Sequence, residues 1–129
     1  MANPLEMQPL ALAFIGDAVY EVFVRDYVIE KGYRTINEMH KQAIKYVRAK
    51  SQSVAVKVLN EELSETEQNV VRRGRNAHPH TVPKNADIGD YRYATALEAL
   101  IGYLHLSGDT ERLQYIMNKT VEIIDAQKK

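Results

Sequence analysis

Apolar residues recur at spacings of three and four along most of the 129-residue chain, with no sustained alternation of apolar and polar positions. The pattern predicts helices nearly throughout. A long apolar-rich segment runs from Leu10 to about Ile29 and is expected to stop at Lys31-Gly32, with glycine as the C-cap. Ile36, Met39, Ala43, Ile44 and Val47 line one face of an amphipathic helix over residues 36–47. Ser51 or Ser53 is expected to cap a short helix that runs through Leu59. Ser64-Glu65-Thr66-Glu67 is a capping box, serine and glutamate satisfying each other's free amides, and starts a helix to about Arg75. Residues 76–89 then interrupt the pattern with Asn76, Pro79, Pro83, Asn85 and Gly89, and a loop this long in a compact domain is usually functional or disordered. A second apolar-rich helix spans about Tyr91 to Leu106 and ends at Ser107-Gly108. Asp109 or Thr110 caps a last amphipathic helix built on Leu113, Ile116, Met117, Val121 and Ile124.

The two apolar-rich helices each carry an acid among apolar neighbours. Asp17 sits in Phe14-Ile15-Gly16-Asp17-Ala18-Val19, and Glu98 in Ala96-Leu97-Glu98-Ala99-Leu100-Ile101-Gly102. A carboxylate on a buried helix face needs a partner, because desolvating it alone costs several kcal/mol. Glycine inside a helix costs roughly 1 kcal/mol against alanine, so Gly16 and Gly102 beside these acids suggest a close helix approach. Two packed helices presenting Asp17 and Glu98 to one hard metal ion is the economical reading. The alternative is a buried ion pair, with Arg25 or Arg92 as partner. Glu21, one turn beyond Asp17, reads either as a further ligand or as a solvated or helix-pairing charge.

Composition narrows the chemistry. With 45% hydrophobic and 26% charged residues the chain reads as one globular domain over residues 1–129. No cysteine is present, which excludes disulfides, thiolate catalysis, zinc fingers and iron–sulfur clusters. Neither a signal-peptide pattern nor an apolar run of about 18 residues occurs, so a cytoplasmic chain with no membrane partner is expected. Net charge is zero, yet Lys41, Lys45, Arg48, Lys50 and Lys57 cluster without an acid among them, and Arg72, Arg73 and Arg75 follow. Such a localised basic surface is what phosphate binding requires. The helix C-terminal dipole accounts for one or two of the three arginines; the surplus, followed by a long loop, fits contact with a nucleic-acid backbone. His78-Pro79-His80 matches no zinc spacing and fits solvent or phosphate contact better, while His40 and His105 are core or surface residues by default. No hydrolase triad and no glycine-rich phosphate loop is present.

The two acid-bearing segments closely resemble the signature helices of the ribonuclease III catalytic domain. Val47-Arg48-Ala49-Lys50-Ser51 is similar to that family's helix junction, and the resemblance covers residues 8–125 in order. Arg73-Gly74-Arg75-Asn76-Ala77, Thr81-Val82-Pro83-Lys84-Asn85 and Tyr91-Arg92-Tyr93 resemble the Mini-ribonuclease III group, the bacterial form reduced to a lone catalytic domain without a double-stranded-RNA-binding domain. The resemblance implies an all-α homodimer with a catalytic valley across the dimer. It implies Mg²⁺-dependent endonucleolytic hydrolysis of double-stranded RNA to 5′-phosphate products, and trimming of precursor 23S ribosomal RNA ends. Position by position, Asp17 and Glu98 match the family's two central catalytic and metal-binding acids, and Phe14 matches an aromatic residue of the dimer interface. Lys45, Arg48, Lys50, Arg72, Arg73, Arg75 and Lys84 are the expected RNA contacts.

Departures from the family pattern matter. Two further acids of its larger members correspond to Ala13 and Thr95 here, and a charged residue of theirs to Leu10. Ala13 cannot bind a metal, whereas Thr95 can at most ligate weakly or hold a water. Small residues at these two positions are usual in the reduced group, so activity remains the expectation; one Mg²⁺ commonly takes only one or two protein carboxylates. The competing reading is a catalytically inactive RNA-binding scaffold of the same fold, whose mark would be loss of the central acids. A di-iron carboxylate bundle would need Glu-x-x-His on two helices, and the residue three after Glu98 is Ile101.

Overall fold

Helix α1, Pro9–Glu30, opens with proline in its first turn, where a missing amide costs nothing, and stops before Gly32 at φ +82°. The computed structural model describes residues 3–77, 84 and 87–127. Helix α2, Ile36–Val47, starts where the Thr35 side chain accepts from the Glu38 amide at 3.1 Å. Arg48 is extended and divides α2 from α3, Ala49–Leu59. Ser51 and Ser53 are therefore buried within α3 and do not cap it, a correction to the expected boundary. The break is made by the backbone of Arg48, whose Nε donates to Ser51 Oγ at 2.9 Å. The capping box forms as expected on α4, Glu65–Arg75. Helix α5, Ile88–Leu106, starts three residues earlier than the apolar pattern suggests, because the Asp87 side chain accepts from the Asp90 amide at 2.9 Å. Asp109 caps α6, Thr110–Ala126. Single 3-10 turns occupy Pro4–Glu6 and Asn60–Glu62, and no strand occurs among the described residues.

Helix α5 is the centre of this all-α bundle and meets α1, α3, α4 and α6. It is apolar on nearly every side, and a helix of that kind is stable in water only when surrounded. Ala96, Leu97, Ala99, Leu100 and Ile101 are all fully enclosed. Helix α1 also carries apolar residues on more than one side, but only the face with Leu12, Tyr20, Val24 and Val28 is covered; Phe14 on its other side is 83% exposed.

Polar clasps tie the periphery to this core. Arg112 of α6 donates to both carboxylate oxygens of Glu67 at 2.8 and 2.9 Å, and that fork holds the Glu67 carboxyl below its usual range. The hydroxyls of Tyr27 and Tyr46 both donate to the Asp125 carboxylate at 2.5 Å, joining α1, α2 and α6. No described helix is long and apolar enough to cross a membrane.

Candidate active site

The site is set by a backbone contact. A β-carbon on Gly16 would lie 1.8 Å from the Glu98 carbonyl oxygen, and one on Gly102 would lie 1.9 Å from the Leu12 carbonyl oxygen. Helices α1 and α5 thus cross with their main chains touching, and only glycine on each permits it. Asp17 and Glu98 flank this crossing, as the glycine–acid pairing suggested.

Their environments differ. Glu98 is half-buried, and its carboxyl is pushed up to about 8, first by burial and then by the negative charge of Asp17 and a hydrogen bond to it, against a smaller opposing effect of Gln52. Asp17 is exposed, as are Phe14 and Ala18 beside it, so the apolar envelope expected around Asp17 is absent. Beside these charges α1 leaves Leu10, Phe14, Val22 and Ile29 uncovered in this chain. Nor does Arg25 pair with Asp17: its Nε bonds Glu21 at 3.2 Å, which makes Glu21 a helix-pairing charge. Among the described residues neither Asp17 nor Glu98 forms an ion pair.

Sequence reasoning missed Gln52. It is 2% exposed on α3, and its Nε2 donates to the Val47 carbonyl at 2.7 Å and to Glu98 Oε2 at 3.4 Å. Because a backbone carbonyl can only accept, Val47 sets the amide's orientation and turns its second N–H toward Glu98. Gln52 Oε1 has no protein partner. The available signal was a glutamine standing in register with Ala55, Val56 and Leu59 on the buried stripe of α3. Tyr20 was also missed: its buried hydroxyl donates to the Tyr46 carbonyl at 2.8 Å. Burial, then the nearby Glu98 and Glu21 charges, push that phenol well above its ordinary range.

The remaining positions add little that binds a cation. Ala13 is buried, and the Thr95 hydroxyl donates to the Tyr91 carbonyl at 3.0 Å, one turn before Glu98. No group of three or more His, Cys, Asp or Glu side chains converges among the described residues. The donor set is two carboxylates, one of which accepts from the Gln52 amide nitrogen. Carboxylate oxygens suit a hard cation, and a cation would relieve the opposition of the Asp17 charge to ionisation of Glu98, so the residues present fit a divalent ion such as Mg²⁺.

Among the expected cationic residues, Lys45, Arg48 and Lys50 share one cleft near the end of α6, where Lys45 also lies 3.7 Å from Asp125. Arg72 and Arg75 line a second cleft. Arg73 turns away from both and donates to the carbonyls of Leu5 and Met7 at 3.1 and 3.0 Å, anchoring the N-terminal turn. Lys84 is exposed, as are His40 and His105. The His78-Pro79-His80 run, Thr81-Val82-Pro83 and Asn85 lie outside the described residues.

Comparison with known proteins adds a family signal to this geometry. A model of the Ribonuclease III domain matches residues 10–109. The chain is 46% identical over 125 residues to a Mini-ribonuclease 3 from Symbiobacterium thermophilum, covering 97% of this chain and 96% of that one. It is 49% identical over 125 residues to the Mini-ribonuclease 3 of Brevibacillus brevis, covering 97% and 93%. Its fold superposes on a crystal structure of a Fusobacterium nucleatum protein with a TM-score of 0.82 at 33% identity, covering 91% of this chain and 93% of that one.

Proposed function

The chain belongs to the ribonuclease III family and is an endoribonuclease, and on that premise we propose that it hydrolyses double-stranded RNA with Mg²⁺ held by Asp17 and Glu98. The observation that carries the metal assignment is the pair of carboxylates at the glycine crossing, with Glu98 raised to about 8 by burial and by Asp17. When bound, the ion supplies Lewis acidity to water and to the scissile phosphate. The chain's own part is to hold two oxygen donors on rigid helices, where preorganised charge costs no rearrangement at the moment of reaction. Products carry 5′-phosphate and 3′-hydroxyl ends, and the cytoplasmic substrate is the ends of precursor 23S ribosomal RNA. Lys45, Arg48, Lys50, Arg72, Arg75 and Lys84 supply phosphate contacts; Arg73, whose guanidinium already serves two carbonyls, contributes least. Retention of both central acids speaks against the inactive scaffold.

Incubating the protein with a duplex RNA in Mg²⁺ and in EDTA tests this. The expected result is cleavage of duplex but not single-stranded RNA, in Mg²⁺ alone. Intact duplex under all conditions overturns it.

Gln52 supports the acid pair by holding Glu98 toward the site. Gln52→Ala is expected to fold normally while raising the Mg²⁺ needed for half-maximal cleavage several-fold, with weaker Mn²⁺ binding by electron paramagnetic resonance. Unchanged metal binding would leave Gln52 a structural residue only.

We further propose a two-fold dimer through α1, which places two sites across a duplex and yields a staggered break. Phe14, 83% exposed, and Leu10, 38% exposed, leave an apolar strip on α1 that water disfavours. Phe14→Arg is expected to give monomers by light scattering and to lose cleavage together with assembly. A wild-type chain that is monomeric and fully active at micromolar concentration would contradict this.

A further inference from the structure

Away from the carboxylates, α3, α4 and the start of α5 enclose a cleft of about 260 Å³. Three of its lining residues are cations, Lys57, Arg72 and Arg75; Asn60 and Gln68 add amides, and no Asp or Glu lines it. Two of the cations converge on one aromatic ring. Lys57 Nζ lies 4.4 Å and Arg75 Cζ 6.0 Å from the centroid of Tyr93. The hydrogen bonds that the arginines make are to neutral amides, Arg72 to Asn69 at 2.6 Å and Arg75 to Asn76 at 3.2 Å, so neither charge is compensated there. No ion pair involves any of the three among the described residues, and the residues outside the description include no Asp or Glu.

Gathering three like charges opposes folding unless an anion joins them. Helix C-terminal dipoles account for one cation at the end of α3 and one at the end of α4. They do not account for the third, nor for amides where carboxylates would neutralise the cluster. Arginine forks match the paired oxygens of a phosphate, and lysine adds a point charge.

We propose that this cleft is a phosphate-binding subsite for the RNA strand, in which Lys57, Arg72 and Arg75 grip a backbone phosphate over the Tyr93 ring. The inference rests on the duplex-RNA reading above and adds Lys57 and Tyr93 to it. Tyr93 precedes Glu98 by five residues, roughly 7.5 Å along α5 and about 140° around it. The subsite therefore opens between α3 and α4, whereas Glu98 lies between α1 and the Gln52 side chain of α3, and the subsite holds the strand away from the bond being cut.

The test is fluorescence anisotropy with a labelled duplex RNA in EDTA, across a range of salt, for the wild type, Lys57→Ala, Lys57→Glu and Tyr93→Leu. Lys57 is exposed, so its variants are expected to keep the wild-type circular dichroism and melting temperature. Lys57→Ala should weaken duplex binding about threefold to tenfold and Lys57→Glu more, and Lys57→Ala should lower the slope of log affinity against log salt by about one. In Mg²⁺, KM should rise while the single-turnover rate at saturating enzyme holds. Tyr93→Leu should weaken binding less than Lys57→Glu. Inorganic phosphate, titrated by calorimetry, separates the two sources of the same chemistry. Loss of phosphate binding in Lys57→Glu with unchanged duplex affinity makes this a small-anion site and overturns the proposal, as does a Lys57→Glu chain with wild-type affinity and salt slope. If the wild type neither binds nor cuts duplex RNA, the underlying reading fails instead.

Discussion

Asp17→Asn and Glu98→Gln are each expected to lower duplex cleavage at least ~100-fold in Mg²⁺, roughly 3 kcal/mol of transition-state stabilisation. Both replacements keep side-chain volume and remove one negative oxygen, so duplex binding in EDTA and the helical circular dichroism should be preserved. Stability supplies a second readout. A carboxyl raised from 4.5 to about 8 holds a proton in the folded chain that the unfolded chain releases. Metal-free stability must then fall as pH rises from about 4.5 through 8, since the folded state binds more protons over that window. Glu98→Gln should remove this fall, and a divalent ion should offset it in the wild type alone. Either variant cutting at near the wild-type rate would sink the catalytic assignment. A wild-type stability that is flat from pH 5 to 8 would mean that Glu98 is not in the environment described (~3 pH units of window).

Gly16→Ala is expected to damage the fold itself. Its β-carbon would have to occupy a point 1.8 Å from the Glu98 carbonyl oxygen and 2.8 Å from both Glu98 C and Gly102 N, and all three atoms belong to the α5 main chain. No rotamer relieves that contact, so the helices must separate along the best-packed interface of the protein. The expected loss exceeds ~3 kcal/mol, a fall in melting temperature of roughly 10 °C or more. Gly74→Ala is the graded control, because its β-carbon would meet Ala96 Cα and Ala99 Cβ at 3.0 Å, a tight contact without overlap. Thermal unfolding followed by circular dichroism should rank Gly16→Ala well below Gly74→Ala, and Gly74→Ala below the wild type. A Gly16→Ala chain with the wild-type melting temperature would show that the crossing is looser than drawn. The two glycine and acid series separate cleanly: one loses structure and activity together, the other activity alone.

Local chemistry was legible in the residues. Helix α2 begins and ends where its three-and-four spacing says, and the Ser64–Glu67 box and the stop before Gly32 form as their side chains dictate, because hydrogen bonds within one turn depend on neighbours in the chain. Glycine beside each lone acid likewise announced a close crossing, since no other residue tolerates one. What the pattern could not distinguish were α1 and α5, both apolar-rich without one dominant apolar face. Packing alone made α5 the enclosed centre and left Phe14 of α1 uncovered within the chain, which in turn half-buried Glu98 and exposed Asp17. Gln52 reaching Glu98 from α3, Arg73 reaching the Leu5 and Met7 carbonyls, and Lys57 meeting Arg75 over Tyr93 join residues 18 to 68 positions apart. Contacts of that kind arise when helices dock, and an acid's charge, a lysine's partner or a glutamine's orientation is settled by the desolvation and neighbours that docking brings, to which no local spacing is sensitive.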